Sequence, residues 1–431
     1  MALDVLVVGG GGREHALVRG LKRSSRIGRL FCAPGNAGIA ADAEIVPLAA
    51  DDLPGILAFV NRERIDLTVV GPEAPLVAGL ADLLRADGHV VFGPDQAGAT
   101  LEGSKAFAKE IMEAAGVPTG ASASFTDYQE AREHLQRIGA PVVVKVDGLA
   151  AGKGVVVALT MEDAEDALCE CFVERRFGAA GDVVLVEEFL SGEELSLLAV
   201  VSGRQILPLE PAQDYKRACD GDAGPNTGGM GSYSPVPAVS EALYAQLVET
   251  AVRPTVEEMA RRGIDYRGVL YTGLMLTPTG PKVLEFNCRF GDPETQALLP
   301  RLESDLLELL WQAARGEELP QAVWNSGPAV GVVMASRGYP ASSSKGDVIS
   351  GLDEVAHSPG VEVFHSGTAL SDGRVVTAGG RVLTVTAVGD SFAHARRLAY
   401  EGVRRIEFDG AQYRADIALR AVEWEQRDGK G

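Results

Sequence analysis

Residues 142–158 read VVVKVDGLAAGKGVVVA, two lysines among glycines and alanines with a valine-rich run on each side. β-Branched residues favour strands, so the stretch predicts strands at 141–146 and 154–159 joined by a glycine turn. Glycines followed by a lysine also suggest a phosphate-binding loop. A Walker loop needs G-x-x-x-x-G-K-[ST], whereas GLAAGKG is one residue short and has Gly154 where the hydroxyl belongs. The stretch therefore reads as another device: Lys145 reaching phosphates from a strand, under a flexible hairpin containing Gly152 that folds over a nucleotide as a lid. A hairpin with a solvated lysine is the plainer alternative.

Working outward, an apolar strand at 183–188 runs into Glu187, Glu188, Phe189 and Leu190. Backbone groups of such a connection can pair with an adenine edge, and Glu194 follows at a spacing suited to ribose hydroxyls. Surface acids at a strand end are the alternative. Further on, residues 282–296 read KVLEFNCRFGDPETQ. Glu285 and Asn287 lie two apart on a predicted strand, so both side chains face one way, and Arg289 falls on the same face. A carboxylate and an amide oxygen together suit a hard cation such as Mg²⁺ carrying nucleotide phosphates.

Residues 1–104 alternate short apolar runs with helical patterns: DVLVVGG, REHALVRGLKRS, RLFCAPG, DLTVVGPEAPL, VAGLADLLRADG and HVVFGPD. That order predicts an open parallel sheet with crossover helices. The GGGGREH turn, residues 9–15, can present backbone N–H groups to an anion at a helix N-terminus; a tight structural turn is the alternative. A dinucleotide fingerprint fails there, because Glu14 or His15 stands at the last glycine position and the second strand ends in CAPGNAG rather than an acid. A nicotinamide-dependent dehydrogenase is thereby disfavoured.

Beyond residue 104, SKAFAKEIMEAAGVP predicts a helix from N-cap Ser104 to Gly116. A compact unit follows over about 121–190, with helices at 127–139 and near 161–176. Strands at 194–209 and near 268–287 flank a glycine-rich loop and a helix at 240–262. The helix DLLELLWQAARG leads to a β-rich tail closed by a last helix around 391–404.

Bulk properties bound the function. The 431 residues allow two to four domains, and 46% hydrophobic content fills several cores. A net charge of −20 argues against nucleic acid or an anionic membrane as partner. Five cysteines without a C-x-x-C pair and only six histidines speak against a disulfide framework or a structural zinc site. No basic leader and no apolar run of roughly 18 residues is evident, so a cytoplasmic location is expected. No further catalytic domain is expected after the tail.

Lys105 in EGSKAF, the strand lysine with its glycine lid, the acidic hinge and the E-x-N motif occur in an order that resembles the ATP-grasp carboxylate–amine ligases. GGREHA, APGNAG, VGPEAPL, LEGSKAF, DGLAAGKGV, GPNTGGMG and EFNCRFGDPETQ, spread over residues 11–296, are similar to the phosphoribosylamine–glycine ligase family, and GGRVL in the tail also fits. The family more often has His at Tyr215, often Lys at Ala415, and usually Ala at Val146.

The resemblance implies an N-terminal Rossmann-like α/β domain (1–104), an ATP-grasp domain (105–326, with its lid at about 121–190) and a β-rich α+β domain (327–431). It also implies that ATP phosphorylates glycine and that the amine of 5-phosphoribosylamine attacks the glycyl phosphate. Lys105 and Lys145 would neutralise phosphates, Arg289 would face the transferring group, and Glu285 and Asn287 would hold Mg²⁺ or Mn²⁺. The glycine site is expected near Asp214, Lys216, Asp292 and Glu294, though the last two could instead cap the helix that follows. Gly10, Gly11, Gly12, Asn36 and Glu73 are expected to face the phosphoribosyl substrate. A monomer is expected, and Tyr215→His should be nearly neutral if Tyr215 only lines its loop.

Overall fold

The computed structural model describes residues 2–149 and 154–428. Gly152 therefore lies outside the described residues. The chain begins with a five-stranded parallel sheet in the order Glu44–Ile45, Ile27–Pro34, Leu3–Gly9, Leu67–Val70, Val90–Phe92. Leu3–Gly9 is central, and its successors add first on one side and then on the other. Its carboxyl end, Gly9, is thus the topological switch point, where open α/β sheets form a ligand crevice.

Helix Lys105–Ala115 begins as expected: the Ser104 Oγ accepts the Phe107 N–H at 3.1 Å, and Gly116 ends it at φ 67°. The unit that follows is an antiparallel sheet in the order Ser122–Phe125, Val184–Glu188, Val142–Val146, Val155–Ala158. Helices Tyr128–Ile138 and Met161–Phe172 pack on it through Ala131, Leu135, Ala164 and Leu168. The second helix is shorter than the sequence suggests, ending before the Arg175 and Gly178 turn residues, both at positive φ.

A second antiparallel sheet runs Gln205–Pro208, Glu193–Ser202, Arg267–Thr277, Gly280–Asn287. The helix expected over 240–262 is interrupted by a π-helical stretch at Val248–Val252, just ahead of Arg253–Arg261. Pro254 has no N–H to return to the preceding turn, and the wider turn accommodates that.

The last sheet is antiparallel, in the order Gln213–Asp214, Gly231–Ser234, Ala329–Ala335, Arg381–Val388, Val361–His365. Its first two strands come from the middle of the chain, so the tail's sheet is continuous with the segment that carries Asp214. Helix Phe392–Val403 does not close the tail: Leu419–Asp428 follows it. The sequence reading missed this helix because its apolar stripe is narrow, with Ala421 fully packed and Val422 half-buried in the core.

Candidate active site

Strand Gly280–Asn287 shows why three of the expected groups converge. Gly273 pairs with Glu285 but Leu274 with Val283, so Leu284 is an extra, unpaired residue. This bulge reverses the alternation locally. Val283 points into the core, while Glu285, Asn287 and Arg289 share the open face and Phe286 and Cys288 are buried behind them. The bulge also frees the Leu284 carbonyl, which accepts from Lys145 Nζ at 3.2 Å.

Lys145 is almost fully buried and pairs with Glu187 at 2.8 Å. Lys109, absent from the sequence reading, reaches the same carboxylate at 3.4 Å and donates to Thr119 Oγ1 and the Gly120 carbonyl. It lies one helical turn after Lys105, and this i, i+4 spacing was the available signal. Lys105 donates to the Gly148 carbonyl at 3.3 Å. Burial, reinforced by Lys145, lowers its affinity for the proton, while Glu285 opposes the shift. Asp147, also missed, accepts from Ser104 Oγ and from the Ala106 N–H at 2.7 Å, joining the lid strand to the helix N-terminus. Glu188 turns away to Lys282 at 3.0 Å, and Phe189 and Leu190 are half-buried.

Around Glu285 the structure gathers a ring of charge. Burial alone would raise its carboxyl, but Lys216, Lys145, Lys105 and Arg289 together hold it below the ordinary glutamate value. Lys216 lies 2.9 Å from Glu194 and 3.7 Å from Glu285. Asp214 is pushed well above the ordinary aspartate value, by burial first and then by Glu294, Glu194 and Glu285, with Lys216 opposing. Arg289 bridges Glu102 at 3.0 Å, Glu73 at 3.3 Å and Asn287 Oδ1 at 3.2 Å. Burial works against its charge, but Glu102 and Glu73 prevail and keep it firmly protonated. Glu102 was not anticipated; it also accepts the Cys288 N–H at 2.6 Å.

The 9–12 turn stands across from this strand. The Gly11 N–H donates to Glu14 at 2.6 Å, so a protein carboxylate already takes one amide of the expected anion site. Glu14 fits only because Gly71 leaves room: a Cβ there would meet its Oε1 at 2.1 Å. Asn36 has every amide group engaged, donating to the Gly10 and His365 carbonyls and accepting from Gly38 and Ile39. Its side chain thereby fixes the loop beside the 9–12 turn. Facing Gly11, Asp292 holds Gln296 at 2.7 Å and Arg381 at 3.2 Å. Gln296 Oε1 is buried without a protein partner. Glu294 is buried and accepts from Ser196 Oγ at 2.8 Å. The alternative of helix capping is not adopted: Pro293 is the N-cap of Glu294–Leu298, with no side-chain cap.

A strand lysine beneath a small antiparallel lid, facing an E-x-N strand across a cleft, defines an ATP-grasp ligase. The comparisons agree. Models of the phosphoribosylglycinamide synthetase N domain, ATP-grasp (A) domain and C domain match residues 3–102, 103–295 and 329–420. Phosphoribosylamine–glycine ligase of Brucella melitensis is 50% identical over 98% of this chain and 99% of its own, and that of Pseudomonas aeruginosa is 49% identical over 98% and 99%. The crystal structure of phosphoribosylamine–glycine ligase from Thermotoga maritima superposes with a TM-score of 0.85 at 34% identity, covering 96% of this chain and 100% of that one. At 16% identity the biotin carboxylase domain of a Hydrogenobacter thermophilus 2-oxoglutarate carboxylase, a complex with MgADP, ADP and bicarbonate, shares the fold with a TM-score of 0.73, covering 96% of this chain and 92% of that one. The chain belongs to the phosphoribosylamine–glycine ligase family, and it is an ATP-dependent ligase that makes glycinamide ribonucleotide in purine biosynthesis.

Proposed function

We propose that the cleft phosphorylates glycine and passes the glycyl group to 5-phosphoribosylamine. A carboxylate oxygen of glycine attacks the γ-phosphorus of ATP, the bond to the bridging oxygen breaks, and ADP leaves with the electron pair. The amine nitrogen then attacks the acyl carbon, phosphate departs, and the nitrogen gives up a proton to leave the amide. The observation that carries this reading is the set of four cations, Lys105, Lys145, Lys216 and Arg289, disposed around Glu285. Phosphoryl transfer spreads negative charge over the transferring oxygens, so positioned cations supply most of the catalysis.

In this scheme Lys105 and Lys145 neutralise the α- and β-phosphates, and Arg289 faces the transferring group. Backbone groups of 187–190 pair with adenine, and Glu194 turns to the ribose. Glycine lies by Asp214 and Lys216, with Asp292 and Glu294 as partners of its ammonium. The phosphoribosyl group lies between the 10–12 turn, Glu73 and Asp292, where the unpartnered Gln296 Oε1 can accept a sugar hydroxyl.

The donor set fits Mg²⁺ or Mn²⁺. Glu285 is held ionised and Asn287 Oδ1 is two residues on, giving two hard oxygens. A cation held by these two oxygens would take its other ligands from phosphates and water. When bound there, it would add positive charge at the nucleotide phosphates. We place the reaction in the cytoplasm, carried out by a monomer. Among the described residues no helix is long and apolar enough to cross a membrane.

Glycine labelled with ¹⁸O in its carboxylate tests the intermediate. One label should appear in the released phosphate for each amide formed; phosphate free of label would rule out glycyl phosphate.

A further inference from the structure

Strand alternation sends Asp214 and Lys216 into the cleft and the residue between them the opposite way. That residue, Tyr215, is 2% exposed and packs against the far end of the chain. Its hydroxyl accepts the Ala418 N–H at 3.0 Å. Two guanidinium groups lie over its ring, Arg414 at 4.7 Å and Arg420 at 5.2 Å from the centroid, contacts favoured by the ring quadrupole. Ala418 is held at φ 60°, a left-handed conformation costly for a residue with a Cβ. The Tyr215 hydroxyl meets the amide of this strained residue.

The same segment also grips the loop beyond Lys216. Arg414 donates to the Arg217 carbonyl at 3.1 Å and to Asp222 at 2.9 Å, and pairs with Asp416. Asp416 in turn accepts the Gly221 N–H at 2.9 Å, Asp220 accepts the Ala415 N–H at 2.7 Å, and Arg420 reaches Asp222 at 3.2 Å. Tyr215 itself continues the ladder, donating its N–H to the Gly231 carbonyl and accepting from Met230. Residues 414–420 thus hold both the strand carrying Asp214, through Tyr215, and the glycine-rich loop after Lys216.

We propose that Tyr215 is a positioning residue, through which residues 414–420 set Asp214 and Lys216 for the amino-acid substrate. The C-terminal segment then tunes the glycine end of the cleft from behind, and bears on the nucleotide end only indirectly, through the Lys216–Glu194 pair. The inference rests on the proposed placement of glycine beside Asp214 and Lys216. The condition under which Tyr215→His would be nearly neutral, that Tyr215 only lines its loop, is then not met, since an imidazole is too short to reach the Ala418 amide from the Tyr215 position.

Tyr215→Phe keeps the ring and removes only the acceptor, and Arg420→Met, at a half-exposed position, removes one cation from the ring. Both variants are assayed for the KM of glycine and of ATP, and for amide hydrogen exchange over 213–229. The expected result is a glycine KM raised about fivefold or more in Tyr215→Phe and at least twofold in Arg420→Met, with the ATP KM within twofold of the parent. A glycine KM unchanged in both variants, or both KM values rising together, would overturn the proposal. Should Tyr215→Phe fail to fold, Arg420→Met decides by the same criterion. If the parent turns over ATP without needing glycine, the functional reading fails, and hydrogen exchange decides the positioning role: faster exchange at 213–217 in the variants sustains it, and unchanged exchange rejects it.

Discussion

At the residue scale the proposed phosphoryl transfer depends on Lys145. It sits between Glu187 and the carbonyl that the Leu284 bulge exposes, so it is already oriented before any phosphate arrives. Lys145→Met should abolish ADP formation while the protein stays folded by circular dichroism; near-normal turnover would remove the residue from the site. Glu285→Gln should sharply raise the Mg²⁺ concentration needed for half-maximal rate, and an unchanged requirement would place the metal elsewhere. Period-two alternation was enough to put Glu285, Asn287 and Arg289 on one face from sequence. It could not show that Glu102 and Glu73 fix Arg289, because those contacts join residues far apart in the chain. Nor could it show that the Asn36 side chain has four partners, one of them the His365 carbonyl from the far end of the chain.

At the element scale, helix Lys105–Ala115 presents two of the cleft lysines, and its first turn is tied to the lid through Ser104 and Asp147. Ser104→Ala removes the N-cap and one lid contact together. It should cost about 1 kcal/mol of stability in a denaturant melt and raise the KM for ATP while leaving that for glycine. If only the melt moves, the cap has no part in nucleotide binding. Three of the four lid strands and both its helices were readable from their apolar runs and stripes, but Ser122–Phe125, SASF and nowhere fully buried, was not. The π-helical stretch at Val248–Val252 and helix Leu419–Asp428 were not: the first depends on how Pro254 is accommodated, and the second on an apolar stripe that only its packed neighbours define.

At the scale of the whole molecule, the tail docks on the N-terminal sheet through two buried histidines. His15 Nδ1 accepts the His365 N–H at 2.8 Å, and His15 Nε2 faces Asp42 at 3.2 Å. A side chain at Gly38 would strike both rings. Burial lowers both imidazoles, His365 to about 3 with His15 and Arg19 adding to the effect, and His15 against the opposing pull of Asp42. The unfolded chain therefore binds protons first. The contribution to stability is full above about pH 6.5 and diminishes as pH falls toward 3, by at most about 1.4 kcal/mol per pH unit for each ring. The melting temperature should fall between pH 7.5 and 5, and His365→Asn should flatten that slope; an equal slope would exclude the docking histidine as its source. No local pattern announced this contact, since 350 residues separate the pair. The proposed reaction is tested most directly by ADP release from the purified protein with ATP, Mg²⁺, glycine and phosphoribosylamine generated in situ, each omitted in turn. Release is expected only when all are present. Undiminished release without glycine or without phosphoribosylamine would contradict it.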